Sequence, residues 1–374
     1  MPAGINNVIR NAYLILALCW IGIQTSLLLY YGIRTDFEAV KYINEATTLI
    51  NTGQLSSNNF WFYSAEILLI AFFMKLHWGY AGVIVIHLIV NALATCLFYR
   101  FIKDLSGSGA GFITTVLLIC CVPFQQYNVS LQTESLFHSF LILYMIVLFR
   151  IKLVTSGNFF LLIGLLTILC ATRPTGLLIV PPTFLYLSAT RWKQRAVIKA
   201  IVLSAGGLMS IWVLNRALAS GGEFNFMLPF ETNMIICGVP NQSTAINTGL
   251  NPNSLQGLFY YILNNPAQFL QLAFKKSIAF FGVYRSYFSG LHNILLTGFF
   301  SLLYFLSFTG IRKWSRGTYR LPIFCFSAIL TVWISVILTC DDWHNRFILI
   351  LLPCFLILSA NPIQSFINRY RLPH

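Results

Sequence analysis

Thr35-Asp36-Phe37-Glu38 follows directly on the first long apolar run of the chain. A carboxylate at a membrane face can serve as a general base, taking the proton of an acceptor hydroxyl or amine as that group attacks. Asp36 suits this role. Glu38 has a structural reading beside the functional one, because Thr35 to Glu38 has the S/T-x-x-E spacing of a capping box for the helix that follows. A second cluster, Gln132-Thr133-Glu134-Ser135 with His138, opens another apolar run. Glu134 and His138 are four apart and share a helix face. They read either as a helix-dipole partner with an interior hydrogen bond, or as an acid lining an outward-open cavity; two such ligands do not define a metal site.

Two arginines complete the set. Arg173, in Ala171-Thr172-Arg173-Pro174-Thr175-Gly176, lies between two apolar segments, where a guanidinium is costly unless an anion balances it. It either pairs with Glu134 or holds a phosphate, and Pro174 ends the helix before it or opens the next. Arg346 lies in Cys340-Asp341-Asp342-Trp343-His344-Asn345-Arg346-Phe347. That run reads as an ordinary hydrophilic turn, or as a site where the planar fork of Arg346 takes two phosphate oxygens. Asp341, Asp342 and His344 would admit a divalent metal, but the run offers fewer oxygens than hard cations usually take, so no metal is predicted.

These groups stand out because they are scarce. Only 10 Asp and Glu occur among 374 residues of a chain that is 57% hydrophobic, with mean hydropathy +0.74. A charged side chain at the centre of a membrane helix costs roughly 2.5–3.5 kcal/mol even on the lenient insertion scale. Apolar stretches of about 15–22 residues recur, close to the ~20 a helix needs to cross a bilayer. The expected class is an all-α polytopic membrane protein, a single membrane domain over 1–374. About ten spanning helices are expected, at 11–32, 79–99, 109–124, 131–149, 157–172, 174–190, 197–216, 291–311, 321–339 and 346–361. The first is read as retained, since it is too long for a secretory signal and no small-residue cleavage site follows. The net charge of +14 reads as cytoplasmic anchoring and contact with anionic lipid rather than nucleic-acid binding. The nine cysteines show no metal or disulfide framework, although Cys237 and Cys340 both fall in loops and are able to pair.

With the N-terminus inside, the inner loops collect every dense basic cluster, including Arg191, Lys193 and Arg195, as the positive-inside rule requires. Asp36, Glu38, Glu134, Asp341 and Asp342 then all fall on the outer side. Residues 61–77 are apolar but short, and counting them as spanning would invert every later loop; they are assigned to an interfacial or re-entrant helix. The first outer loop, 33–78, thus holds interfacial helices, with an amphipathic one at Glu38–Ile50. The long outer loop, 217–290, holds a Gly/Asn/Pro-rich stretch and a second interfacial helix at Pro266–Phe281, carrying Lys275 and Lys276. Asn128-Val-Ser and Asn241-Gln-Ser are glycosylation sequons of a kind that also arise by chance.

The order of these features resembles the GT-C superfamily of membrane glycosyltransferases, in particular the bacterial group akin to protein O-mannosyltransferases and lipid A aminoarabinose transferase. Asp36-Phe37-Glu38 matches the acidic motif of the first outer loop, followed by interfacial helices. Thr133-Glu134 after Pro123, Arg173-Pro174 with Gly176, Asn265-Pro266 with Phe269-Leu270 and Lys275, and Arg346-Phe347 with Pro353 match later motifs in order. Each motif is short, and the large C-terminal soluble domain of some members is missing, so acceptor recognition would fall to the loops. The resemblance implies transfer of a sugar from a polyprenyl-phosphate-linked donor to a lipid, glycan or protein acceptor, at the outward face of a bacterial inner membrane. It implies Asp36 as base, with Glu38 and Glu134 orienting groups around it, and Arg173, Arg346 and Lys275 on the donor phosphate. No cofactor is expected. A polysaccharide polymerase or ligase is the nearest alternative; a transporter or flippase should show repeated halves and broken helices, which the sequence does not display.

Overall fold

The computed structural model describes residues 11–150, 156–190, 227–241, 254–311 and 320–369. The helix expected at 197–216 lies outside them. Every described element is helical, with two isolated bridges, Arg34 to Ser130 and Ile236 to Asp341, in place of strands. The chain divides into two compact units. One comprises Met1–Val180, Leu306–Arg316 and Phe355–His374; the other comprises Pro181–Phe305 and Gly317–Cys354.

In the first unit, α1 (Ala12–Tyr31) is apolar all round and ends at Gly32, as suits a helix surrounded by hydrocarbon. The amphipathic α2 (Glu38–Thr52) buries Ala39, Tyr42, Glu45 and Ala46 along one face and stops at Gly53, whose left-handed φ of 73° closes the last turn. A 3₁₀ turn at Asn58–Tyr63 leads into α3 (Ser64–Lys75), so the segment read as one interfacial helix is two pieces. Then follow α4 (Gly79–Ser106), α5 (Ser108–Cys120), α6 (Glu134–Arg150) and α7 (Ser156–Thr172). The expected capping box does not form. The N-cap of α2 is Phe37, with φ 53°, and the carboxylate of Glu38 accepts from the Tyr42 hydroxyl at 3.2 Å.

After α5 the chain bends by 66° into Val122–Val129, with Pro123 in its first turn. Amides hold this bend. Gln24 donates to Gln125 at 2.8 Å, Gln125 donates to the Leu118 carbonyl at 3.0 Å, and Asn128 donates to Gln125 at 2.9 Å. Ser135 donates to the Asn128 carbonyl oxygen at 2.7 Å. Asn128 is 1% exposed with both amide atoms engaged, so this sequon is a packing residue; Asn241 of the second sequon is exposed.

The span count is lower than expected. Among the described residues four helices are long and apolar enough to cross a membrane: α1, α4, α11 (Gly290–Gly310) and α12 (Arg320–Leu338); the bent pair makes five if taken as one span. The other expected spans are short or broken, so the sequence-based expectation of unbroken helices does not hold. At 17 residues each, α6 and α7 reach about 26 Å against a core of ~30 Å. The segment after Arg173 begins as a 3₁₀ turn, Pro174–Ile179, before α8 (Val180–Thr190). The last run divides at Leu351 into Arg346–Ile350 and α13 (Leu352–Arg369).

The second unit contains α9 (Leu255–Asn264) and α10 (Pro266–Gly282), close to the expected interfacial helix. Met227, Phe230, Leu258, Tyr261 and Leu272 form a core here. Cys237 and Cys340 are disulfide-bonded, with Cα atoms 5.1 Å apart and a sequence separation of 103. Beside the bond, Cys237 donates its N–H to the Asp341 carbonyl and Asp341 donates to Ile235, both at 2.8 Å. Closing a loop of this length stabilises by on the order of 4 kcal/mol in the chain-entropy model. Non-reducing peptide mapping should recover a Cys237–Cys340 linked peptide, and reduction or Cys340→Ser should lower the unfolding midpoint. Free thiols at both Cys237 and Cys340 in the unreduced protein would refute the pairing.

Candidate functional site

The first unit gathers four of the sequence-derived residues through a short piece of backbone. Arg34 donates its N–H to the Val129 carbonyl at 2.8 Å and accepts from Leu131 at 3.0 Å. This clip fixes the loop carrying Asp36 beside the loop that opens α6 at Glu134. The clip is main-chain and therefore carries no side-chain signature that a sequence could show.

Asp36 is the accessible acid. Its side chain is 54% exposed and lies 3.4 Å from the Arg34 guanidinium, which also stands over the rings of Tyr31 (5.3 Å) and Phe37 (5.6 Å). Glu134 is fully buried at the N-terminus of α6, where the helix dipole favours a negative charge. It accepts from the Thr133 hydroxyl at 3.4 Å and from Arg173, its ion-pair partner. The pairing of Arg173 with Glu134 is one of the two roles the sequence allowed. Its geometry depends on the turn that follows: Gly176 donates to the Arg173 carbonyl at 2.9 Å, and a Cβ at Gly176 would lie 2.6 Å from the Leu169 oxygen. Only glycine permits that approach.

Tyr42 joins these groups and was not singled out from sequence. Its ring is fully buried, its hydroxyl donates to Glu38, and Glu134 and Arg173 act on it electrostatically. Burial, then the Glu38 and Glu134 carboxylates, hold the phenol well above its ordinary range, so it remains a donor. Lys41 stands over the rings of Tyr42 (5.2 Å) and Tyr63 (4.7 Å), a third cation beside Arg34 and Arg173. A tyrosine on the apolar face of an amphipathic helix reads as core, which is why spacing alone does not mark it.

His138 lies one turn into α6. It is stacked on Phe124 with ring centroids 4.2 Å apart, and neither ring nitrogen has a hydrogen-bond partner. Glu66 and His87 are in hydrogen-bond contact at 3.1 Å, with both side chains at 0% exposure. Both residues interrupt apolar runs, and that was the available signal for them.

The remaining two candidates lie in the second unit. Lys275 is exposed on α10, whereas its neighbour Lys276 is buried and donates to the carbonyls of Ile337, at 3.1 Å, and Thr339. Those carbonyls belong to the end of α12, where a cation offsets the helix dipole; burial pushes the Lys276 ammonium down to about 7. Arg346 gives its fork to Asp342, with two contacts of 2.7 Å. Asp341 is not part of a solvated turn. It is 1% exposed and paired with the fully buried Arg285 at 2.5 Å, and burial raises its carboxyl to about 6 against the pull of that arginine. Among the described residues no three His, Cys, Asp or Glu side chains gather as metal ligands.

Compared with known proteins, the chain matches no family model, no curated protein and no solved structure.

The geometry separates a buried, paired acid from an exposed one. Glu134→Gln strands the Arg173 charge and should destabilise the protein by about 3–5 kcal/mol, whereas Glu134→Gln with Arg173→Met should recover most of that loss. Asp36→Asn should stay within about 0.5 kcal/mol of wild type. Denaturant unfolding of the four proteins checks the order, and equal losses for Glu134→Gln and Asp36→Asn would contradict it.

Proposed function

We propose that this chain is a GT-C-type glycosyltransferase that moves a sugar from a polyprenyl-phosphate-linked donor to an acceptor at the outward face of a membrane. The observation that carries the reading is the exposed Asp36 carboxylate, clipped by backbone hydrogen bonds beside the buried Glu134–Arg173 pair. Asp36 takes the acceptor proton while the acceptor oxygen or nitrogen bonds to the anomeric carbon. The bond from that carbon to the phosphate oxygen breaks, and the polyprenyl phosphate leaves with the electron pair. One such displacement inverts the anomeric centre. Charge grows on the phosphate as it leaves, and cations fixed nearby stabilise it.

Arg34 and Arg173 contact Asp36 and Glu134 and Lys41 stands over Tyr42; Arg34 and Lys41 extend the set expected from sequence. Lys275 remains a candidate for the phosphate by its exposure. The bidentate grip of Asp342 on Arg346 favours a structural role for that arginine. Tyr42 and Glu38 position the acids, since the phenol donates to one carboxylate and lies within the field of the other. The four long apolar helices support an integral membrane location. The Cys237–Cys340 bond suits an oxidising compartment and supports the outward placement of its loops.

Membranes supplied with a labelled polyprenyl-phosphate sugar should show transfer by wild type and a loss of about 10²–10⁴-fold with Asp36→Asn, the range for removal of a general base. Unchanged transfer by the variant would remove Asp36 as the base. Wild-type membranes that transfer none of a panel of such sugars would count against the enzyme class.

A further inference from the structure

A groove of about 440 Å³ lies between α1, α4 and α5 in the first unit, apart from the acidic cluster. Leu16, Ala17 and Trp20 form one wall, Ala92 and Cys96 the other, and Thr115 contributes from α5. Both long walls belong to helices that are apolar and long enough to cross a membrane. Tyr13 and Tyr99 meet edge to face at 4.8 Å at one end. From there the lining continues to Ile21, eight residues along α1, or about 12 Å at 1.5 Å per residue. That is less than half of the ~30 Å hydrocarbon core, so the groove belongs to one leaflet.

Two further observations point to a specific occupant. Thr95 lines the groove, is 5% exposed, and its hydroxyl oxygen is buried with no hydrogen-bond partner. A threonine in a membrane helix ordinarily bonds back to the carbonyl one turn before it, so an unsatisfied one asks for a partner from outside the helix. Beyond the tyrosine end, Arg100 and Lys103 are exposed. They stand one turn past Cys96 and Tyr99, which places them on the same face of α4 as the groove. The acid of that turn, Asp104, is taken by Arg150 at 2.9 Å.

Along α4 the surface is therefore cationic at 100–103 and apolar at 92, with the unpartnered Thr95 hydroxyl buried between them against the groove. Arg100 and Thr95 are separated by about 7.5 Å of helix rise. This is the order of groups in a glycerophospholipid: phosphate, ester carbonyl, hydrocarbon chain. We infer that the groove is a binding site for an anionic phospholipid, with its phosphate on Arg100 and Lys103, an ester carbonyl on Thr95, and one acyl chain between Trp20 and Ala92. Clustered basic residues beside a membrane helix favour anionic headgroups in this way. The site does not depend on the proposed glycosyl transfer and stands or falls separately.

The test uses the full chain, extracted from vesicles of equal phosphatidylglycerol and phosphatidylcholine, washed in detergent and weighed by native mass spectrometry. Wild type should retain one phosphatidylglycerol, in preference to phosphatidylcholine by on the order of tenfold. Arg100→Gln with Lys103→Gln should reduce that preference to near unity. Thr95→Val should weaken retention of both ester lipids, and the ether-linked analogue of phosphatidylglycerol should bind wild type no better than Thr95→Val binds the ester form. Ala92→Phe should release lipid by filling the groove, and Cys96→Phe, on an exposed position of the same wall, repeats the test where Ala92→Phe fails to fold. Equal retention of the two headgroups by wild type, a preference that survives loss of both cations, or lipid retained by a folded filled-groove variant would each overturn the proposal.

Discussion

The first unit is organised around the ion pair of Glu134 and Arg173. Both charges are removed from water, and a buried pair of this kind repays its desolvation only where the geometry is fixed and further hydrogen bonds complete it. The surroundings meet that condition. Glu134 sits at the positive end of α6 with Thr133 beside it, and the turn after Arg173 is tight enough to exclude any side chain at position 176. The pair also acts electrostatically on Tyr42, whose environment is set first by burial and by Glu38, the acceptor of its hydroxyl. Asp36 is reached by a different route, through backbone hydrogen bonds around Arg34. The accessible acid is thus held by the main chain and the inaccessible one by charge.

The second unit repeats the theme with different partners. Arg285 is wholly enclosed and bonds to Asp341 and to the carbonyls of Ala279, Tyr284 and Asp342. Lys276 plays a comparable part at the end of α12. In both cases a cation satisfies backbone oxygens that hydrocarbon cannot, which is the general constraint on irregular backbone near a membrane.

Much of this was legible in the residues, and what was not has identifiable reasons. Acids and arginines that interrupt apolar runs proved to lie in buried networks at 134, 173 and 341, because a charge in such a place survives only with a partner. The amphipathic helices beginning at Glu38 and Pro266 follow from their patterning and from a proline at the first turn. Hydropathy overcounted the spans because it sums apolar character without registering where the chain breaks, as at Cys121, Pro174 and Leu351. Lys275 and Lys276 were indistinguishable by type, yet one step along a helix turns a side chain by about 100°, and that rotation separates solvent from core. The Arg34 clip had no signature because any residue supplies its atoms.

The position of the disulfide carries a consequence for how the protein is made. Cys237 is synthesised well before Cys340, and helices α9 to α12 lie between them. The bond can close only after Cys340 has been synthesised and has left the ribosome. Asp341 follows Cys340 directly, so its pairing with Arg285 becomes available at the same stage of synthesis. The surroundings of Arg285 are therefore completed only after residue 341 has been made, and a chain released before that point would leave the guanidinium without its carboxylate.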